Sequence, residues 1–172
     1  MGRYRAPEPL GSKYITSEGK KKLDEEFDYL WRVKRPRVTR ILSEAAAEGD
    51  RSENAEYIYR KKQLGEIDRR VRYLKIRLED IVAVDSIPDA QDKIYFGAWV
   101  SIEDEVGNVL EYRIVGPDET GHDPAYISMD SPVGKALLGK SVDDEVKVNL
   151  PEREAVFSVT GIRYESPSEQ GH

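Results

Sequence analysis

The sequence predicts an α+β protein: a long antiparallel α-helical coiled-coil hairpin, then a small antiparallel sheet domain with one short helix. Three observations predict it. Apolar residues recur at steps of three and four from Leu23 to Ile81, in two runs separated by Gly49. Beyond Ser86 that period gives way to strand-like alternation and turn residues. The charge divides at the same place. Of 27 Lys/Arg and 33 Asp/Glu, residues 1–85 hold 20 and 16, and residues 86–172 hold the remaining 7 and 17. A basic half (+4) therefore joins an acidic half (−10), which suggests two partners or one partner with two surfaces.

Residues 1–14, with Pro7, Pro9 and Gly11, read as a flexible tail. Thr16 or Ser17 is the candidate N-cap of the first helix. Its stripe is Leu23, Phe27, Leu30, Val38, Ile41 and Ala45, with a gap around Lys34 that contains Pro36. The stripe resumes on the same face, so Pro36 predicts a kink rather than an end. Gly49 stops the helix, and Asp50 or Ser52 is expected to cap the second. Tyr57, Leu64, Ile67, Val71, Leu74, Leu78 and Ile81 then give a seam facing the first stripe. The connection is short, so the helices are antiparallel neighbours. About 30 residues per helix gives an arm of about 45 Å, spanning residues 15–85 with its tip near 47–54.

Residues 86–93 (SIPDAQDK) lack periodicity and read as a linker. In the domain at 94–166, Ile94–Glu103 and Val109–Gly116 flank Gly107-Asn108 as a hairpin. Ala125–Met129, Glu145–Leu150 and Ala155–Tyr164 are three further strands. Ser131 as N-cap and Pro132 at the first helical position open a short helix that Gly139 closes. Residues 167–172 form a second tail.

Composition removes several classes. With 172 residues, 38% hydrophobic and 35% charged, the chain suits thin structure rather than one thick globule. The absence of cysteine excludes a disulfide scaffold, a cysteine-ligated zinc finger and a thiol nucleophile. No apolar run approaches the ~18 residues of a membrane span. The N-terminus has no apolar signal-peptide core, and Ala6 stands where myristoylation would favour Ser or Thr, so a cytoplasmic protein is expected. His122 and His172 have no metal-ligand neighbours at helical spacing, and no phosphate loop or nucleophile elbow occurs.

The informative segment is GDRSENAEY, residues 49–57. Glu44, Glu48, Asp50, Glu53 and Glu56 gather at the expected tip. Arg32, Lys34, Arg35, Arg37 and Arg40 line one stem; Arg60, Lys61, Lys62, Arg69, Arg70, Arg72, Lys75 and Arg77 line the other. Asp50 and Glu53 have two readings. One is a capping box, with Asp50 accepting from the backbone and Glu53 reaching back. The other is a carboxylate pair for Mg²⁺, which takes oxygen ligands and often only one or two protein carboxylates. Two carboxylates make an incomplete set unless a partner supplies the rest. The basic stems are either a solvating face or a track for phosphates. Tyr57 and Tyr59 could stack bases, although Tyr57 falls on the seam.

The strings YLWRVKRPRVT (29–39), GDRSENAEYIYRKKQLGEIDRRVRYL (49–74), YFGAWVSIED (95–104), YRIVG (112–116) and YISMDSPVGKALLGK (126–140) carry a resemblance. The chain resembles the Gre family of bacterial transcript cleavage factors, and most of all its GreB branch, from about residue 15 to 165. The resemblance implies an arm that enters the secondary channel of bacterial RNA polymerase and a docking domain of FKBP-like fold at the channel mouth. It places the family's two tip carboxylates on Asp50 and Glu53, with Ser52 and Asn54 supporting the tip. It implies Mg²⁺ held mainly by the polymerase and contact with the 3′ end of backtracked RNA, for which Arg60, Lys61, Lys62 and Arg69 of the basic stem are the candidates. Asp130, Ser131 and Pro132, in the best-matched string of the second domain, are read either as purely structural or as part of the dock on polymerase. The protein is then a monomeric accessory factor that stimulates the polymerase's own transcript cleavage, and not itself an enzyme. The alternative is a channel-binding regulator that modulates polymerase without cleavage. One departure is Val142-Asp143-Asp144, where the family commonly has Val-Gly-Asp.

Overall fold

The computed structural model describes residues 10–49 and 54–166. Its elements are β1 (Tyr14–Ile15), α1 (Ser17–Tyr29), a π-helical turn (Leu30–Lys34), α2 (Arg35–Ala47) and α3 (Ala55–Asp80). They are followed by β2 (Val82–Ala83), β3 (Trp99–Glu103), β4 (Val109–Val115), β5 (Tyr126–Ser128), α4 (Pro132–Leu137), β6 (Glu145–Asn149) and β7 (Glu154–Arg163). The chain divides into two units, Lys20–Ile81 and Met1–Gly19 with Val82–His172. Among the described residues no helix is long and apolar enough to cross a membrane.

In the helical unit, the buried stripes are Leu23, Leu30, Val38 and Ala45 on one strand of the hairpin and Ile67, Val71, Leu74 and Ile81 on the other. The first stripe steps by seven, eight and seven residues. The eight-residue step spans the π turn, where Arg35 N–H bonds the carbonyl of Leu30. A π turn closes five residues back instead of four, so it absorbs one surplus residue and returns Val38 to the seam. Pro36, which has no N–H, directly follows the π turn, where the backbone ladder changes from five-residue to four-residue closure. Thr39 Oγ1 donates to the Arg35 carbonyl at 2.8 Å, using an acceptor next to the proline. The helix passes through Pro36, as the spacing requires.

In the sheet-bearing unit, the strand order is β5-β4-β3-β7-β6. Alternation places Val100 and Ile102 of β3 and Val146 and Val148 of β6 inward, while Glu145, Lys147 and Asn149 face solvent. These pack with Ile94, Ala98, Ile114, Leu137 and Val159 into one core beneath α4. The α+β class holds, with one addition: β4 and β5 pair in parallel, so the sheet is mixed rather than wholly antiparallel. Ile94 is a buried loop residue, and its strand begins only at Trp99. At the expected hairpin turn, Asp104 Oδ1 accepts from the N–H groups of Val106 (3.0 Å) and Asn108 (2.8 Å), and Gly107 takes φ +87°.

The tail expected at 1–14 needs correction over residues 10–14; residues 1–9, like 167–172, lie outside the described residues. Val82 N–H bonds the Lys13 carbonyl at 2.8 Å, and β1 pairs in parallel with β2. Residues 15–19 and 82–85 likewise belong with the sheet rather than with the arm. Two-residue strands leave no periodic trace in a sequence. Asp143, the departure from Val-Gly-Asp, takes φ +72°, the left-handed region that a glycine enters without strain.

Candidate functional site

The closed end of the hairpin is built around Asn54. Its backbone is extended (φ −84°, ψ 98°), and its Oδ1 accepts from Tyr57 N–H at 3.1 Å, which makes it the N-cap of α3. Its Nδ2 donates to the Ala45 carbonyl of α2 at 2.7 Å. One amide thus satisfies an open donor of α3 and shares the Ala45 carbonyl of α2 with the Glu48 N–H (3.3 Å), clipping the helices together. This corrects the expectation that Asp50 or Ser52 caps the second helix. An amide fits better than a carboxylate, because only an amide can donate and accept at once. Asp50, Ser52 and Glu53 lie outside the described residues, between Gly49 and Asn54. Glu44, Glu48 and Glu56 are exposed, and Glu56 accepts from Arg60 Nε at 2.8 Å.

Of the expected RNA-facing cations, Arg60 is tied to Glu56 and Gln63 and lies over the Tyr59 ring at 5.2 Å. Lys61, Lys62 and Arg69 are exposed, and no ion pair among the described residues engages them. Elsewhere the stems are partly neutralised. Arg32 meets Asp28 at 2.8 Å, Arg35 meets Asp68 at 2.8 Å, and Arg70 grips both oxygens of Glu26 at 2.6 and 2.9 Å. Arg77 is a further correction. Only 1% of it is exposed, so it cannot serve a surface track; it lies three residues after Leu74 and four before Ile81, at the spacing of the seam. Tyr57 is half-buried, as its seam position implies, and Tyr59 is exposed. Among the described residues, no three His, Cys, Asp or Glu side chains gather closely enough to hold a metal ion.

The loop at Asp130, Ser131 and Pro132 is a worked junction. Ser131 Oγ accepts from Gly134 N–H at 3.0 Å and donates to the Ser128 carbonyl at 2.6 Å, so it caps α4. Pro132 is exposed at the first position of α4. The Asp130 carboxylate accepts from Ser12 N–H at 2.7 Å and from the Ser12 hydroxyl. The segment read as a tail therefore lies on the loop read as a dock.

Sequence reasoning missed Glu119. It is fully buried and accepts from Gly116 N–H (2.8 Å), Thr16 N–H (3.1 Å) and the Thr16 hydroxyl. Thr16 Oγ1 in turn caps α1 by accepting from Gly19 N–H at 3.0 Å. A β-carbon on Gly19 would meet Glu119 Oε1 at 2.1 Å, so the carboxylate fills the space a glycine leaves. Burial pushes the Glu119 carboxyl above its ordinary range, against the hydrogen bonds from Thr16 and Gly116 that favour its charge. The signal available in the sequence was Gly19, a glycine inside a helix with no turn to make.

Two family profiles match the chain. The one described as transcription elongation factor, N-terminal, covers residues 13–82, and the GreA/GreB C-terminal one covers 89–164. The chain is 54% identical over 167 residues to transcription elongation factor GreB of Xanthomonas axonopodis pv. citri, covering 96% of this chain and 99% of that protein. It is 56% identical over 153 residues to GreB of Yersinia pestis, covering 89% and 90%. Among solved structures, Gfh1 of Thermus aquaticus covers 90% of this chain and 99% of its own at 27% identity, with a TM-score of 0.41.

Proposed function

This chain belongs to the GreA/GreB family of transcription elongation factors, and from that premise we propose that it enters the secondary channel of bacterial RNA polymerase tip first and stimulates cleavage of backtracked RNA. The observation that carries the proposal is the clip at Asn54. Because Asn54 fills the capping post of α3 and holds Ala45, the carboxylates of Asp50 and Glu53 are not needed to start that helix. Their chemistry can be turned outward.

Two carboxylates suit Mg²⁺, which keeps several waters and accepts one or two protein oxygens, and the polymerase supplies the remaining ligands. When bound, Mg²⁺ acts as a Lewis acid and lowers the pKa of a coordinated water. The part played by this chain is to present Asp50 and Glu53 at a fixed distance along a stiff pair of helices. Exposed Lys61, Lys62 and Arg69, with the tethered Arg60, supply positive charge along which the extruded RNA phosphates can lie. Asp130, Ser131 and Pro132 contribute to docking, which raises the effective concentration of the tip without adding chemistry. The chain acts as an accessory to another enzyme's site.

The test is addition of the full chain to a halted, backtracked elongation complex, reading the length of the labelled RNA. Wild type should shorten the RNA. Asp50→Asn and Glu53→Gln should each lower the cleavage rate by orders of magnitude while competing for polymerase as well as wild type does. Wild type that binds without shortening RNA would make the protein a channel-binding regulator. Equal cleavage by the variants would remove the metal role.

A further inference from the structure

The cationic stem carries an aromatic feature that the proposed tip chemistry does not use. Trp31, in the π turn, is 51% exposed, with Tyr29 and Val33 similarly open beside it. An exposed tryptophan forfeits the burial that makes the residue worth having, and π turns are frequent at functional positions. This ring is also held. The Arg35 guanidinium lies 5.5 Å from its centroid, and Arg35 Nε is fixed by Asp68 Oδ1 of α3 at 2.8 Å. Asp68, Arg35 and Trp31 form a chain that covers part of the ring and limits its rotation, with half of the residue still in solvent.

The surroundings are cationic. From Tyr29 to Ser43 the chain has no acidic residue and five basic ones, Arg32, Lys34, Arg35, Arg37 and Arg40. Arg72, one helical turn beyond Asp68 on the same face of α3, is exposed. Arg32 and Arg35 are paired with Asp28 and Asp68, while no ion pair among the described residues engages Lys34, Arg37, Arg40 or Arg72. A held aromatic face beside such cations is the combination that binds single-stranded nucleic acid: bases stack on the ring while phosphates meet the charges. The site lies about 24 Å along the helix from Ala47, at a rise of ~1.5 Å per residue.

We propose that Trp31 is a stacking platform for an unpaired RNA base, with Arg35 and Asp68 as its positioning residues. The identity of the ligand as RNA rests on the proposed function; the platform itself is tested without polymerase. The experiment follows tryptophan fluorescence of the full chain in a Trp99→Phe background, which leaves Trp31 as the sole reporter. The probes are a short oligoadenylate and the same backbone made abasic.

Oligoadenylate should quench Trp31 and the abasic strand should not. Trp31→Ala, read by a labelled probe, should weaken binding roughly tenfold, with partial recovery in Trp31→Phe. That loss should persist as salt rises, whereas the loss in a Lys34→Gln, Arg37→Gln pair should fade. Arg35→Gln should loosen the ring, which reads as lower fluorescence anisotropy of Trp31 and weaker quenching. Equal quenching by the abasic strand, or unchanged oligoadenylate binding by Trp31→Ala, overturns the inference. So does a Trp31→Ala protein that loses affinity only for polymerase, since the ring then serves a protein contact. Failure of the RNA-shortening assay with Trp31 quenching intact would instead count against the tip chemistry alone.

Discussion

In the sheet-bearing unit nine side chains from the strands, a loop and α4 meet in a single cluster at 0–3% exposure, whereas the helical unit buries its residues in file along one seam. Removing a side chain from the cluster deprives several neighbours at once. Removing one from the seam deprives the turn above and the turn below. The helical unit is thus stiff along its length but stable only turn by turn, and its closed end needs its own fastening, which Asn54 provides.

The largest effect that could break this comparison comes from one substitution made in both places. Leu137→Ala, at 0% exposure in the cluster, should cost about 4–5 kcal/mol, and Leu30→Ala, at 8% on the seam, about 2–3 kcal/mol, within the usual range for such cavities. Denaturation followed at Trp99 for the sheet and at Trp31 for the helices would check it; equal costs would erase the distinction.

Next is Glu119, where a buried carboxyl serves the sheet-bearing unit. Glu119→Ala leaves three donors without a partner and should cost about 3 kcal/mol. Its folded pKa lies above the unfolded value, so the folded state holds the proton more tightly. Stability from this group is greatest below the ordinary glutamate range and declines as pH rises through the interval up to the raised value. Glu119→Gln should flatten that decline, as measured by urea midpoints across pH.

Asn54→Ala should cost about 1–2 kcal/mol, in the helical unit alone, because both a cap and a cross-helix bond are lost. Hydrogen exchange at Tyr57 N–H should accelerate while sheet amides stay protected. The smallest effect is a gain. Asp143→Gly should stabilise the sheet-bearing unit by about 0.5 kcal/mol, relief of the left-handed backbone being partly offset by a more flexible unfolded chain.

Much of this was legible in the sequence, and unevenly. Strands β3 and β6 follow from alternation, β4 from the Gly107-Asn108 turn before it, and helix α4 from Ser131-Pro132, since a half-buried strand must alternate and a cap must carry an oxygen. The cap at Asn54 was misplaced because the run Asp50-Arg51-Ser52-Glu53-Asn54 offers three capping residues, and only the opposite helix decides among them. The contacts of Ser12 with Asp130 and of Thr16 with Glu119 join residues more than a hundred positions apart, a separation no local pattern records. The π turn was legible in part. The gap around Lys34 is its trace, and the step of eight between Leu30 and Val38 states its size.

That step also governs which changes of chain length the helical unit can accept. Each residue inserted into or deleted from an α-helix rotates everything beyond it by about 100°. Along α1 or α2 this would swing Val38, Ala45 and the clip at Asn54 off their facing partners. Leu30–Lys34 already holds one residue more than the seven-residue repeat requires. Deleting Val33 would turn the step of eight into seven, let the segment continue as ordinary α-helix, and keep Val38 and Ala45 on the seam. Descendants of this gene can therefore shed a codon within the π turn and keep the seam, and a codon shed one turn earlier or later would scramble it.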